Sequence, residues 1–231
     1  MPATVLLDLF AIGWFLCGWL GYAWFADRRA ADGLTLMNAM HGYRVMWMRR
    51  LLQREVRVVD ATIAGNLNRA VIFLASTTIL ILAGLIAVLG SVERAIEVVG
   101  ALRFAVASTP EIWELKLFSL ILLFVYAFFK FTWAVRHFNY LSVLIGAAPE
   151  ADSQVTWSAD YAARAARVSS HAANTFNRGL RAYYFGLAML AWFLHPLLFI
   201  LATALVIGVL YRREFHSRML RELGNPAEFV E

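Results

Sequence analysis

The stretch from Trp113 to Tyr140, WELKLFSLILLFVYAFFKFTWAVRHFNY, limits what this chain can become. Its middle, Leu117 to Phe129, carries no charge; Lys130 then follows, with Arg136 and His137 two turns later. Read as one helix it is about 42 Å long at 1.5 Å per residue, more than the ~30 Å hydrocarbon core of a bilayer. The expectation is a helix that crosses a membrane and continues into water on its basic side. Composition agrees. Of 231 residues 61% are hydrophobic and 16% charged, far from the balance of a soluble domain.

The net charge of +5 rests almost wholly on arginine, since Lys116 and Lys130 are the two lysines. Those arginines flank apolar runs, which is the positive-inside pattern of membrane proteins and not that of a nucleic-acid partner. Cys17 is the single cysteine, so an intrachain disulfide is excluded; a small buried apolar role is expected for it. The run from Val5 to Ala26 is too long for a signal h-region and reads as a first membrane helix. Its amino end is then outside and Arg28 and Arg29 inside, with Asp8 about one turn in, still within reach of the interface.

Residues 27–69 form a first polar segment holding Arg28, Arg29, Arg44, Arg49, Arg50, Arg54, Arg57 and Arg69. Trp47, Leu51 and Leu52 alternate with Arg50, Arg54 and Arg57 at helical spacing, the pattern of a helix on a membrane surface or against its neighbours. From Asp60 the chain is expected to run straight into a second span over 70–90, where Ser76, Thr77 and Thr78 suit bonding between helices. Ser91 to Thr109 is a short outer link in which Ile96, Val99, Leu102 and Phe104 suggest contact with the membrane; Arg94 and Arg103 are its arginines. Pro110 opens the third helix, with Glu111 and Glu114 in its first turn, and its apolar part covers 115–135.

On that helix Tyr126, Lys130, Trp133, His137 and Tyr140 share one face, so Lys130 either snorkels to the interface or lines a polar pathway. A second polar segment, 136–182, carries a stronger pattern. Asp160, Arg164, Arg167, His171, Asn174, Arg178 and Arg181 recur at alternating spacings of four and three, a seam along one helix side. Ala159, Ala162, Ala163, Ala166, Ala172, Ala173 and Phe176 lie opposite. The seam is either a headgroup-facing surface or the wall of a basic vestibule that draws anions.

The last apolar block, 183–211, contains His195-Pro196, where a kink or break is expected. A single kinked crossing would put Arg212, Arg213, Arg218 and Arg221 outside, against the charge bias; a hairpin turning near Pro196 returns them inside and is the favoured reading. Each limb of a hairpin is short unless the first reaches back through Arg178 and Arg181.

The histidines His41, His137, His171, His195 and His216 form no metal-binding spacing and no haem pair, so no cofactor is expected. With no phosphate loop, nucleophile elbow or convergent carboxylate pair, no enzyme chemistry is visible either.

Four strings together resemble a known family: RVVDATIAGNLNRAVIFLASTTILILAGL (57–85), WELKLFSLILLFVYAFFKFTWAVRHFNYLSVLIGAAP (113–149), FNRGLRAYYFGLAMLAWFLHP (176–196) and YRREFHSR (211–218). They are similar to the domain of unknown function 599 family of membrane proteins. The resemblance implies an integral membrane protein of several helices with no assigned activity and no site residues to carry over.

The expectation is therefore an all-α polytopic membrane protein, a single membrane domain over residues 1–231 with four main spans, in a bacterial inner (plasma) membrane. A homo-oligomeric channel or transporter-like role leads. Its polar pathway would draw on Lys130, His137, Arg164, Arg167, His171, Arg178 and Arg181. An accessory protein binding partner subunits or anionic lipids is the alternative. A single chain with so few short spans is too small to enclose a pore, so the first role requires several copies.

Overall fold

The computed structural model describes residues 3–32, 35–102, 106, 108–151 and 158–223. Among these there are helices and no strand: α1 (Ala3–Asp32), α2 (Leu36–Leu52), α3 (Val58–Leu89), α4 (Val92–Gly100), α5 (Pro110–Gly146), α6 (Ser158–Leu190), α7 (Pro196–Phe215) and α8 (Arg218–Leu223). Four stretches are long and apolar enough to cross a membrane: Leu6–Arg29, Val58–Leu89, Pro110–Gly146 and Pro196–Leu223. α6 is not among them, because its basic seam breaks the apolar run. As the sequence implied, α3 runs unbroken from beside Asp60 through the second span, and Pro110 and Pro196 each open a helix, the position whose backbone angles suit a proline.

The chain divides into two compact units. The first comprises Met1–Arg28, Thr77–Phe128 and Gly179–Arg212. In it the end of α6 runs antiparallel to α1: Arg181 meets Asp27, Phe185 packs on Phe15, and Trp192 meets Asp8. α7 runs parallel to α1, with Phe199 on Phe15 and Tyr211 on Phe25. The block around Pro196 is thus a hairpin, not one kinked crossing, and its first limb does reach back through Arg181. Gly18 allows the α1–α7 approach, since a Cβ there would meet Ile207 at 2.9 Å. Gly186 does the same against Phe124 of α5, at 3.0 Å. Thr78 and Tyr183 share a hydroxyl hydrogen bond of 2.6 Å, the link between helices expected of the α3 threonines.

Ile96 and Val99 are half-buried against the cluster of Val92, Trp113 and Leu117; Val98 and Leu102 are exposed, while Arg103 and Phe104 lie outside the described residues. Two expectations need correction here. Cys17 is exposed on α1, not buried, a position open to an apolar thiol where the surroundings are lipid. Asp8, expected at the interface, is buried.

The second unit comprises Arg29–Ser76, Phe129–Arg178 and Arg213–Glu231. Its helices interlock through small residues. Ala162, Ala165, Ala166, Ser169 and Ala172 of α6 are buried, as are Phe131, Ala134, Phe138, Leu141 and Ile145 of α5. Ala162, Ala166 and Ala172 fall on the packing side as anticipated, whereas the side chain of Ala159 lies outside the described residues. α2 starts at Thr35, whose hydroxyl accepts the Asn38 N–H at 3.2 Å. It ends at Leu52, so Arg54 and Arg57, expected on the same helix, instead sit in the connection to α3. There Asp60, fully buried, accepts from Trp47 Nε1 (2.7 Å) and Arg54 (2.6 Å). Arg57 donates to the carbonyls of Ala148 and Pro149, beyond the end of α5.

Asp60→Ala leaves the half-buried Trp47 indole N–H without its acceptor and Arg54 without its anion. A loss of about 2 kcal/mol is expected, by the usual cost of an orphaned buried donor, read as a lowered unfolding midpoint in detergent.

Candidate functional site

Proline has no N–H and its ring collides with the carbonyl four residues back. For Pro196 that carbonyl belongs to Trp192. The structure supplies a different donor: Lys116 Nζ of α5 donates to the Trp192 carbonyl oxygen at 3.0 Å. The same ammonium lies 3.5 Å from Asp8 Oδ1 and 5.2 Å from the centre of the Trp192 ring. Trp192 Nε1 closes the loop by donating to Asp8 Oδ1 at 2.6 Å. Lys116 is 1% exposed and Asp8 9%, and Trp192 stacks on Phe199 at 5.1 Å. Other backbone groups at the break are also answered. Val106 N–H donates to the Leu194 carbonyl (3.0 Å), and His195 Nδ1 accepts from Leu197 N–H (3.0 Å) at the start of α7. A cation and an anion buried together hold each other, and the bonds of both tie α1 and α5 to the turn of the hairpin.

Sequence reasoning passed over this trio. A signal was present: Asp8 and Lys116 each stand within the first two turns of an apolar helix, and alternating crossings bring those two helix starts to one side of a membrane.

In the second unit the seam of α6 faces outward. Asp160, Arg164, Arg167, His171, Asn174 and Arg178 are exposed, and Arg164 pairs with Asp160. Arg181 belongs to the first unit; it is 11% exposed in its side chain and donates to Asp27 at 2.8 Å, so it leaves the seam for an ion pair. Lys130 and His137 are half-buried on the α5 face they share with exposed Trp133 and Tyr140, and the ring centre of His137 lies 5.9 Å from that of Trp133 and 6.3 Å from that of Tyr140.

α2 adds residues that the seam alone did not reveal. His41 Nδ1 is 2.8 Å from Ser170 Oγ, and Asn177 of α6 approaches Met37 Sδ at 2.9 Å, so α2 lies antiparallel along α6. Burial holds the His41 imidazole below its ordinary titration range, and the positive charges of Arg44 and Arg167 push it down further. Burial likewise lowers the Arg44 guanidinium from its usual value, though an arginine keeps its proton throughout the ordinary range. The arrangement concentrates positive charge and can hold an anion; among the described residues no group of three or more His, Cys, Asp or Glu side chains could hold a metal ion.

Two outcomes follow. Lys116→Met leaves a buried carboxylate and an unanswered carbonyl, so a loss of about 3–5 kcal/mol is expected, with Asp8→Asn in the same chain restoring part of it; thermal unfolding of the single and double variants in detergent checks this. His41 is neutral in the fold and has a lowered pKa. Its protonation therefore costs stability, which is fully present above the unfolded value near 6.5 and lost as pH falls toward the lowered folded value. His41→Asn should flatten that part of the stability–pH curve between pH 7 and 5.

The comparisons with known proteins add the family and little more. No curated protein and no solved structure matches this chain. The profile of one family, described as "Protein of unknown function, DUF599", matches residues 10–219, nearly the whole chain. Helical throughout its regular structure among the described residues, with four membrane-length apolar helices, this protein belongs to the DUF599 family.

Proposed function

We propose that this membrane protein is an accessory or structural component that binds anionic lipid headgroups through its arginine-rich helices. The observation that carries the reading is the outward exposure of Arg164, Arg167, His171 and Arg178 along one side of α6, while the alanine side is buried. Arginines at a leaflet surface contribute about 1 kcal/mol each toward an anionic membrane, so Arg164, Arg167 and Arg178 together supply roughly 3 kcal/mol of preference. The orientation that goes with this has the amino end outside and residues 27–57 and the tail from Arg212 in the cytoplasm of a bacterial cell.

A homo-oligomeric channel or transporter-like role is the second reading. What favours it is the same exposed seam together with Lys130, half-buried on a face of exposed aromatic rings. Several copies could enclose what one chain leaves open.

Native mass spectrometry of the full chain from nanodiscs tests both. Phosphatidylglycerol should be retained over phosphatidylcholine, and Arg164→Glu combined with Arg178→Glu should abolish that preference. Equal retention of the two lipids by the unaltered chain would sink the lipid-binding reading. A closed ring of copies, with a bilayer conductance that the same two changes alter, would move the assignment to the channel.

A further inference from the structure

Arg44 stands one turn beyond His41 on α2, and Arg167 one turn before Ser170 on α6. The contact of His41 Nδ1 with Ser170 Oγ at 2.8 Å fixes the antiparallel register of the two helices, which brings Arg44 and Arg167 to the same level. Arg44 Nη1 is shielded from solvent yet has no hydrogen-bond partner among the described residues. A shielded guanidinium N–H without an acceptor is expensive, because the desolvation of a charged donor is then offset by nothing. Near it stand a second guanidinium and an imidazole that both cations make harder to protonate. An arginine placed against an acidic neighbour would need no explanation; one placed against more positive charge does.

We infer that Arg44, Arg167, His41 and Ser170 form a discrete anion site of the phosphate class between α2 and α6. The chemistry matches the donors. A planar guanidinium presents two parallel N–H groups to two oxygens of a tetrahedral anion, and a second guanidinium answers the remaining charge. The Ser170 hydroxyl can donate to a third oxygen, with its acceptor capacity turned to the His41 ring. The inference deepens the headgroup reading and rests on it for the leaflet source of the phosphate. It differs in being local: the exposed seam responds to the bulk charge of a surface, whereas this site needs one phosphate group in one place.

The test uses the full-length protein in two settings. In lipid-depleted neutral detergent, inorganic phosphate is titrated at constant ionic strength and the thermal midpoint followed; in nanodiscs, phosphatidic acid is titrated into phosphatidylcholine. A midpoint that rises by several degrees and saturates is expected in at least one setting. Arg44→Gln should raise the half-saturating concentration about tenfold, the loss of one good charge-assisted bond pair. Arg44→Lys should be intermediate. Arg164→Gln, a change on the exposed seam, should leave the response intact. Should Arg44→Gln fail to fold, Arg167→Gln at an exposed position carries the same comparison. Saturation by inorganic phosphate identifies a free anion as sufficient; saturation by phosphatidic acid alone identifies the lipid headgroup; both support the site. A midpoint that moves in neither setting, or moves equally in the Arg44 and Arg167 variants, overturns it. That result would leave the surface reading standing, since the latter fails on a different outcome: equal retention of phosphatidylglycerol and phosphatidylcholine by the unaltered chain, or a preference that survives charge reversal at Arg164 and Arg178.

Discussion

A proline with nothing to donate sits at the turn of the last hairpin, and a lysine from another helix supplies what it lacks. Lys116 Nζ on the Trp192 carbonyl, 3.0 Å away, stands in for the missing N–H of Pro196. That bond requires a cation to be buried at a depth where isolated charge is unstable, and Asp8 is the anion that makes it tolerable. Trp192 then binds Asp8 through its indole N–H, so one residue contributes backbone acceptor, side-chain donor and aromatic face to the same group. α1, α5 and the α6–α7 break are fastened together by three side chains. That fastening holds the turn of the hairpin at Pro196, while the ring contacts of Phe15 with Phe185 and Phe199 hold its limbs along α1.

The second unit follows a different principle. Polar anchoring there is concentrated at helix ends, where backbone groups are left over: Thr35 caps α2, Asp60 gathers Trp47 and Arg54 at the start of α3, and Arg57 covers carbonyls beyond α5. Between those ends, alanines and Ser169 let α6 lie close to its neighbours, while α5 contributes large buried side chains such as Phe131, Phe138 and Leu141. A helix packed by its small side is free to carry charge on its other side. The seam of α6 is the consequence.

Much of this was legible in the chain before any coordinates. The charge-free run after Leu117, the entry of α3 at Asp60, the alanine and arginine sides of α6 and the break at Pro196 each follow from local chemistry: hydrocarbon length, helical period and the missing donor of proline. The errors share a cause. Asp8 was read against its own helix, Cys17 as a buried residue, and Arg54 and Arg57 as continuing α2. Each depended on which other segment arrives nearby, which no local spacing records. Arg181 shows the same limit: its heptad position groups it with the seam, yet Asp27, far away in sequence, claims it.

The sequence by itself determined the number of long apolar helices, their rough ends and the amphipathic character of α6, because hydropathy and period act within one segment at a time. The tertiary structure alone decided which buried charges meet, that residues 183–211 form a hairpin, and that Arg44 of α2 stands level with Arg167 of α6. Those are pairings across 108, 184 and 129 residues for Lys116 with Asp8, Trp192 with Asp8, and Ser170 with His41. Ion pairing and hydrogen bonding fall off within a few ångströms, so they are properties of the packed helices and not of any one of them.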